Sequence, residues 1–371
     1  MTDHQRTPHP GAGGRGGYPA SVPTHPREPA RPGPGTVTLG DGLRVPAQGL
    51  GAMVFTDAYG PADPARSLRT IHHAIDAGAG LLDTADVYGG GRNESLLADV
   101  LRTRRDEVVL ATKFGILSGA GPGEPRAQGD PEHVRRSVDA SLARLRVEAI
   151  DLYYYHRVDP RVDIEETVAA LAGLVAAGKI RHVGLSEVTA AELERANAVH
   201  PIAAVQSEWS LFSRDVERLV LPTARRLGVG FVAYSPLGRG FLAGGVASAA
   251  DLPAGDARRN FPRFGADEIA ANTAPLRTLQ DVAAAEGMTA AQAALAWLYA
   301  SGRRMGVPVV PIPGTRRAER VDENLAAAAA TLSHASLEAL DSLAGQVAGD
   351  RNGDLLFVSL GRELRALHTR A

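Results

Sequence analysis

The sequence predicts a single (β/α)8 TIM barrel, and two regularities of the 371-residue chain carry this prediction. Eight short apolar runs of strand length recur between residues 49 and 314. Between them lie amphipathic segments with apolar residues at three- and four-residue spacing, which is typical of helices. Eight strand–helix units over about 300 residues fit a closed barrel of parallel strands. An open, doubly wound sheet is the alternative that this count disfavours.

A β-hairpin is predicted before the first unit. TVTL (36–39) and LRVP (43–46) flank Gly40-Asp41-Gly42, where glycines supply the positive φ that a tight turn needs. The eight strand-like runs then follow in chain order: GLGAM (49–53), GLLD (80–83), EVVLATK (107–113), AIDLYYYH (149–156), IRHVGLS (180–186), AAVQSEW (203–209), GVGFVAYS (228–235) and GVPVVPIPG (306–314).

Four of the intervening segments have the clearest helical spacing. They are SLRTIHHAIDAG (67–78), VRRSVDASLARL (134–145), IEETVAALAGLVAAG (164–178) and AAQAALAWLYASG (290–302). The segment 238–272 is instead long, irregular and rich in glycine, as expected of a loop that folds over a site.

The barrel domain is expected to span residues 36–346. Residues 1–35 are rich in Gly, Pro and charge, so they bury too little apolar surface to offset the entropy of ordering, and they are predicted to be a disordered tail. Extra helices are expected at the C-terminus, where residues 347–371 form a tail with weak helical character.

Composition excludes several classes of protein. A formal net charge of −2 gives no global field toward nucleic acid or an anionic membrane. No apolar run approaches the roughly 20 residues of a membrane-spanning helix. The chain has no cysteine, which excludes disulfides and thiolate chemistry and is compatible with a reducing compartment, so we expect a cytoplasmic protein.

Polar residues follow the second, third and fourth strand-like runs. Asp83 and Tyr88 follow the second, Lys113 ends the third and His156 ends the fourth. Active sites of such barrels lie at the C-terminal ends of the strands, so these side chains are expected to be neighbours. Singly, Asp83 is explained as a turn cap, Tyr88 as a loop aromatic and His156 as a core histidine. Together they form a set that delivers protons.

Reduction of a carbonyl by hydride creates an alkoxide that needs a proton. A free tyrosine has a pKa of about 10, and a neighbouring ammonium is expected to lower it. Tyr88, Lys113 and Asp83 fit the donor, the ammonium and the carboxylate that holds it, and His156 fits a donor to the substrate oxygen. This role also accounts for Lys113, since the chain has only one other lysine, Lys179, at a helix end.

Six blocks resemble the successive motifs of the aldo-keto reductase family, in its order and spacing. They are DTADVYG (83–89), ATKFG (111–115), DLYYYH (151–156), GLSEV (184–188), YSPLGRG (234–240) and IPGTRRAERVDENL (312–325). The resemblance implies NADPH-dependent reduction of an aldehyde or ketone by a tetrad of Asp83, Tyr88, Lys113 and His156. It also implies a cofactor bound extended across the barrel mouth.

The residues expected to bind the cofactor fall into three groups. Ser186 and Gln206 offer hydrogen bonds to the nicotinamide amide, and Tyr234 offers a flat face for the ring. A small-residue loop offers backbone N–H groups to the pyrophosphate. This loop comprises Ser235, Pro236, Leu237, Gly238 and Gly240. The resemblance adds Met53 and Glu187.

The adenosine end is expected after the eighth run. Gly314, Thr315, Arg316 and Arg320 surround a helix start, which suits a phosphate. A solvated basic helix face is the alternative. By resemblance the phosphate is the adenosine 2′-phosphate, and the adenine lies at Glu323 and Asn324.

Two positions depart from the best-known branch of the family. Lysine stands there in place of Gly314, and Arg316 is the expected substitute; asparagine stands there in place of Glu187, which suggests a different amide contact. The substrate pocket is expected to be lined by four aromatic residues, with core packing as the alternative for Phe114. They are Phe55, Tyr59, Phe114 and Trp209.

Other chemistries lack a motif. The sequence has no metal-binding or P-loop pattern, and Glu165-Glu166 complement a helix dipole rather than form a glycosidase pair. The rival hypothesis is an NADPH-binding regulatory subunit of a membrane channel. The small-molecule carbonyl substrate and the oligomeric state stay open.

Overall fold

The computed structural model describes residues 35–119, 121 and 124–368. The tail predicted for residues 1–35 lies outside the described residues except for Gly35, as do the last three residues of the C-terminal tail. Of the helices described, none is both long enough and apolar enough to cross a membrane.

The predicted N-terminal hairpin is confirmed. Strands β1 (Thr36–Leu39) and β2 (Leu43–Pro46) pair antiparallel. The N–H of Gly42 donates to the carbonyl of Leu39 at 2.9 Å to close the turn. Gly42 has a φ of 103°, a region that disfavours every residue with a Cβ.

Eight parallel strands form the second sheet, each hydrogen-bonded to its neighbours in chain order. They are β3 (Leu50–Gly51), β4 (Leu81–Asp83), β5 (Val109–Phe114), β6 (Ile150–Tyr155), β7 (Ile180–Ser186), β8 (Ala204–Glu208), β9 (Gly230–Tyr234) and β10 (Val309–Pro311). The N–H of Gly49, just before β3, donates to the carbonyl of Pro311 in β10 at 3.0 Å. This bond joins the first and last strands, so the barrel predicted from the sequence is confirmed.

Helices surround the sheet and extend beyond it at the C-terminus. They are α1 (Pro64–Asp76), α2 (Arg92–Arg104), α3 (Pro131–Leu145), α4 (Ile164–Ala176), α5 (Ala190–Val199), α6 (Val220–Leu227), α7 (Ala266–Ala271), α8 (Thr273–Ala285), α9 (Ala290–Met305), α10 (Ala318–Ala326), α11 (His334–Asp341) and α12 (Ser359–His368). Local signals set their ends: Thr189 and Glu192 form a capping box at the start of α5, and Gly306, with a φ of 68°, ends α9.

The barrel interior is packed with side chains and is plugged at its N-terminal end by the hairpin. The interior cluster consists of Leu39, Leu43, Val45, Leu81, Ala111, Leu152, Tyr154, Ala203, Ala204, Val232, Val310 and Ile312. Gly230 leaves room for Leu39, whose Cδ2 would lie 2.4 Å from a Cβ at that position. Because the hairpin closes this end, the C-terminal end of the strands is the accessible one.

Candidate active site

A cavity of about 820 Å³ opens at the C-terminal ends of the strands. Most of the residues predicted to bind substrate or cofactor line it. They are Met53, Tyr59, Asp83, Tyr88, His156, Ser186, Gln206, Tyr234, Ser235, Pro236, Leu237, Gly240, Gly314, Thr315, Arg316, Arg320 and Asn324. The segment 238–272 lies beside it as short turns and α7, and the N–H of Ala257 bonds the carbonyl of Ala58 at 2.8 Å.

Lys113 lies at the centre of the polar group. It is fully buried, forms an ion pair with Asp83 and donates to the carbonyl of Thr84 at 2.7 Å. Its ammonium lies 5.2 Å from the centre of the Tyr88 ring. The second oxygen of Asp83 accepts from Gln206 at 2.8 Å. Three strand ends thus hold one carboxylate and one ammonium in fixed positions beside the tyrosine.

The pKa of Tyr88 does not shift as the sequence suggested. Burial raises the pKa above its usual value of 10.0, and the Lys113 ammonium acts in the opposite direction without outweighing burial. For Lys113 itself burial favours the neutral form, but Asp83 outweighs it and raises the pKa. The expectation of a lowered tyrosine pKa is therefore corrected: at neutral pH the phenol keeps its proton and the amine is charged.

His156 faces the same cavity in its neutral form. Its ring lies 6.0 Å from that of Tyr88, edge to face. Burial, followed by the charges of Arg157 and Lys113, lowers its pKa well below 6.5. A neutral imidazole donates one hydrogen bond and carries no charge, so His156 is suited to orient an oxygen acceptor rather than to supply a proton.

A flat aromatic face and two polar side chains lie next to this group. The hydroxyl of Tyr234 donates to Glu187 at 2.8 Å, which fixes the ring at the cavity wall. Ser186 accepts from Arg157 at 3.1 Å, and the amide nitrogen of Gln206 donates to Asp83. These groups match the polar edge and flat face of a nicotinamide.

Glu187 does not line the cavity, and its predicted cofactor contact is corrected. The side chain is fully buried and its two oxygens accept from Arg351 at 2.9 Å each and from the backbone and hydroxyl of Ser359 at 3.0 and 2.9 Å. Burial alone would raise the carboxyl pKa, but Arg351 outweighs it and lowers the pKa. Glu187 therefore anchors the C-terminal segment and steadies Tyr234.

Arg316 is also placed differently from its predicted role. Its guanidinium donates to the carbonyls of residues 54, 56, 59, 60 and 61, at distances from 2.5 to 3.5 Å. All of its donors serve the loop after β3, so Arg316 organises this loop, and its contact with a phosphate stays a prediction. Arg317 and Arg320 at the start of α10 line the cavity beside Arg316, and Arg320 pairs with Glu323.

Packing explains the glycine at position 314. A Cβ there would lie 2.7 Å from Cγ1 of Val54 and 2.8 Å from the carbonyl oxygen of Gly51. Both contacts are shorter than real Cβ contacts, and the second is to backbone, which cannot rotate away. A lysine at this position would therefore displace β3.

Three more predicted residues lie outside the cavity lining: Gly238, Glu323 and the tetrad member Lys113. The neighbours of Lys113, Asp83 and Tyr88, line the cavity. The N–H of Gly238 is used inside the turn, where it donates to the carbonyl of Ser235 at 2.9 Å. Glu323 has one buried oxygen without a described partner and holds Arg320 with the other.

Three of the four aromatic residues predicted to line the substrate pocket lie outside the cavity lining. Phe114 is fully buried and stacks on Tyr153 and Tyr155, with ring centres 5.1 and 5.3 Å apart. Trp209 is also fully buried and donates to Glu217 at 2.9 Å. Phe55 is a core residue as well, so of the four aromatics only Tyr59 lines the cavity.

Sequence reasoning missed four residues that line the cavity near each other: Arg126, Arg157, Asn352 and Phe357. Arg157 follows His156 directly, and its place at a strand end was a usable signal. Arg126 lies in the long connection after β5, and Asn352 and Phe357 belong to the C-terminal segment. No local pattern marks these three, because the loop and the tail meet the barrel mouth only in the folded chain. Among the described residues no cluster of His, Asp and Glu is suited to a metal ion.

The sequence and structure are similar to known proteins. A sequence model described as the Aldo/keto reductase family matches residues 48–344. The crystal structure of a thermostable aldo-keto reductase, Tm1743, in complex with the inhibitor epalrestat is 30% identical with a TM-score of 0.66, covering 83% of this chain and 99% of that one. The glycerol dehydrogenase AKR11B4 from Gluconobacter oxydans is 28% identical with a TM-score of 0.74, covering 86% of this chain and 98% of that one.

Proposed function

Because the chain belongs to the aldo/keto reductase family, we propose that this oxidoreductase reduces an aldehyde or ketone with NADPH, with Tyr88 as the proton donor. One observation carries the proposal. The buried Asp83–Lys113 pair lies against the ring of Tyr88, and neutral His156 faces the same cavity. A pair of this kind has no evident structural purpose at the mouth of a barrel, where burying two charges is costly.

The residues present fit a nicotinamide cofactor. The cavity is lined by the flat ring of Tyr234, by the polar side chains of Ser186 and Gln206, and by Arg317 and Arg320 at the start of α10. Tyr234 would hold the nicotinamide ring, and the α10 arginines would hold the phosphate that distinguishes NADPH from NADH. When bound, the cofactor supplies the hydride that adds to the carbonyl carbon.

The side chains of the protein orient the carbonyl oxygen and supply the proton that it takes up. Tyr88 and His156 donate hydrogen bonds to the carbonyl oxygen and orient it. As negative charge develops on this oxygen, the phenolic proton of Tyr88 moves to it, and the Lys113 ammonium stabilises the phenolate left behind. Asp83 keeps Lys113 charged, and Gln206 keeps Asp83 in place.

The test is NADPH oxidation, followed by absorbance, with a panel of aromatic aldehydes and α-dicarbonyls. We expect turnover in the parent and a loss of about 10²- to 10⁴-fold in kcat for Tyr88→Phe, because the phenol is the only acid removed. The dissociation constant for NADPH is measured in both proteins and is expected to be similar. Tight NADPH binding without turnover of any carbonyl would instead favour the regulatory-subunit role.

A further inference from the structure

Arg157 is a buried guanidinium that forms no ion pair with a carboxylate of the described residues. Its exposed fraction is 8%. Nη1 donates to the carbonyl of His156 at 2.6 Å and to the hydroxyl of Ser186 at 3.1 Å. Nε is buried without a hydrogen-bond partner, and no described residue accepts from Nη2. Leaving a buried charge and its donors unpaired costs free energy, so we expect a bound anion to accept hydrogen bonds from this guanidinium.

The unpaired donors form one edge of the guanidinium. Nε–H and Nη2–H point the same way from the planar group, and this edge is the one that binds both oxygens of a carboxylate. The edge carrying Nη1 is already engaged with the protein. Arg157 lines the cavity together with Tyr88 and His156, so a ligand in this cavity can contact the guanidinium.

The C-terminal segment completes the surroundings. The ring of Phe357 lies 5.4 Å from the guanidinium carbon of Arg157 and 4.1 Å from that of Arg126. Arg126 is paired with Asp354 at 2.8 Å, at the half-exposed rim. This part of the cavity thus offers an apolar ring next to two cations, of which the buried one has no carboxylate of the described residues within ion-pair distance.

The cofactor does not account for this charge. In the function proposed above, the phosphate that distinguishes NADPH lies at the α10 arginines and the pyrophosphate at the loop of residues 235–240, and the nicotinamide amide near Ser186 is neutral. We propose that Arg157, supported by Phe357 and Arg126, forms an anion subsite beside the catalytic residues, and that the carbonyl substrate carries a carboxylate. This substrate class rests on the proposed function; the subsite itself does not.

Two matched aldehydes test the substrate class: 4-carboxybenzaldehyde and its neutral analogue, methyl 4-formylbenzoate. The measured quantity is the ratio of their kcat/KM values, which removes effects common to both. We expect the parent to favour the carboxylate by about tenfold or more, and Arg157→Gln to bring the ratio close to one. Arg157→Lys, which keeps the charge, should retain part of the preference. Arg195→Gln removes an exposed guanidinium on α5 and serves as the control.

A binding measurement keeps the subsite testable without turnover. Calorimetry gives the dissociation constants of 4-(hydroxymethyl)benzoate and its methyl ester in the presence of NADP⁺. Tighter binding of the acid to the parent, lost in Arg157→Gln, supports the subsite even if neither aldehyde is reduced, in which case the proposed function alone fails.

Three results would overturn the subsite. One is turnover of both aldehydes with no preference in the parent. Another is a preference that survives in Arg157→Gln. The third concerns Arg157→Gln: its ratio of kcat/KM values equals that of the parent, and its dissociation constant for NADP⁺ rises tenfold or more. This result would assign the guanidinium to the cofactor.

Discussion

Arg351 in the C-terminal segment binds both carboxylate oxygens of Glu187 at the end of β7, at 2.9 Å each, although 164 residues separate them. The same guanidinium binds Asp215 at 2.8 and 3.1 Å. Both members of the first pair are fully buried or nearly so. The side chain of Arg351 therefore links the C-terminal segment to the barrel. Because Glu187 also accepts from the hydroxyl of Tyr234, the same contacts hold the Tyr234 ring in place.

Replacing Arg351 by Met should destabilise the protein strongly. The change leaves the buried Glu187 carboxylate unpaired, and such losses cost about 3–5 kcal/mol. Urea unfolding without ligand measures the effect. In a Glu187→Gln background the same replacement should cost clearly less, because the fully buried carboxylate is gone and only that of Asp215 loses its partner. Equal costs in both backgrounds would show that the ion pair is not what holds the tail.

Arg320→Ala should weaken NADPH binding and spare NADH. Arg320 lines the cavity at the start of α10, where it suits the extra phosphate. We expect the dissociation constant of NADPH to rise about 10- to 100-fold, the worth of a charge-assisted contact. Arg316→Ala should instead lower stability through the loop after β3, whose carbonyls it binds. An unchanged NADPH constant in Arg320→Ala would refute the assignment.

The pH profile of carbonyl reduction should be flat across neutral pH. The raised pKa of Tyr88 keeps its proton in place until the pH exceeds its usual value of 10.0, and the lowered pKa of His156 keeps the imidazole neutral until well below pH 6.5. We expect kcat/KM to vary by less than about twofold from about pH 6 to about pH 9. The profile is repeated in Asp86→Asn to remove a nearby group that titrates in this range. A decline with an apparent pKa near 8 in both proteins would mean that Lys113 outweighs burial.

Asp86 should make the protein less stable as the pH rises. Burial, reinforced by Glu94, raises its pKa from 3.8 to about 7, and one of its oxygens is buried without a partner. The pKa of Asp86 is higher in the folded than in the unfolded protein, so its contribution to the free energy of unfolding depends on pH. The full contribution is present below about pH 3.8, and it is lost as the pH rises through about 7.

In urea unfolding at pH 8, Asp86→Asn should therefore have a free energy of unfolding about 2 kcal/mol higher than that of the parent. Near pH 4 the two free energies should be similar. Asp99→Asn, an exposed change on α2, is the control and should have little effect at either pH. A difference that does not depend on pH would contradict a titrating Asp86.

The fold and the centre of the site follow from local patterns. Strand and helix periods repeat eight times, and chain order alone brings Asp83, Lys113 and His156 to one mouth because adjacent parallel strands end together. The interior positions of β6 show the limit of this reasoning. All six of its residues are buried, so alternation does not reveal which of its tyrosines face the barrel.

The partners of charged residues were not predictable in the same way. Arg316, Arg320 and Arg351 look alike in the sequence, yet the first serves five carbonyls, the second faces the cavity and the third neutralises Glu187. Arg316 and Arg351 bind barrel residues that lie 117 to 262 positions away, such as Thr56 at a separation of 260 from Arg316. Aromatic residues raise the same difficulty: Trp209 follows a strand end as Tyr88 does, but it points into the core.

The two lysines of the chain differ completely in accessibility. Lys179, just before β7, has a side chain that is 39% exposed, whereas Lys113 is enclosed at the other end of the barrel. An amine-reactive ester should therefore acylate Lys179 quickly and reach Lys113 only when the barrel mouth opens. The rate at which acyl-Lys113 appears in a peptide map thus measures the rate of that opening. Acylation of Lys179 serves as the internal standard for reagent activity.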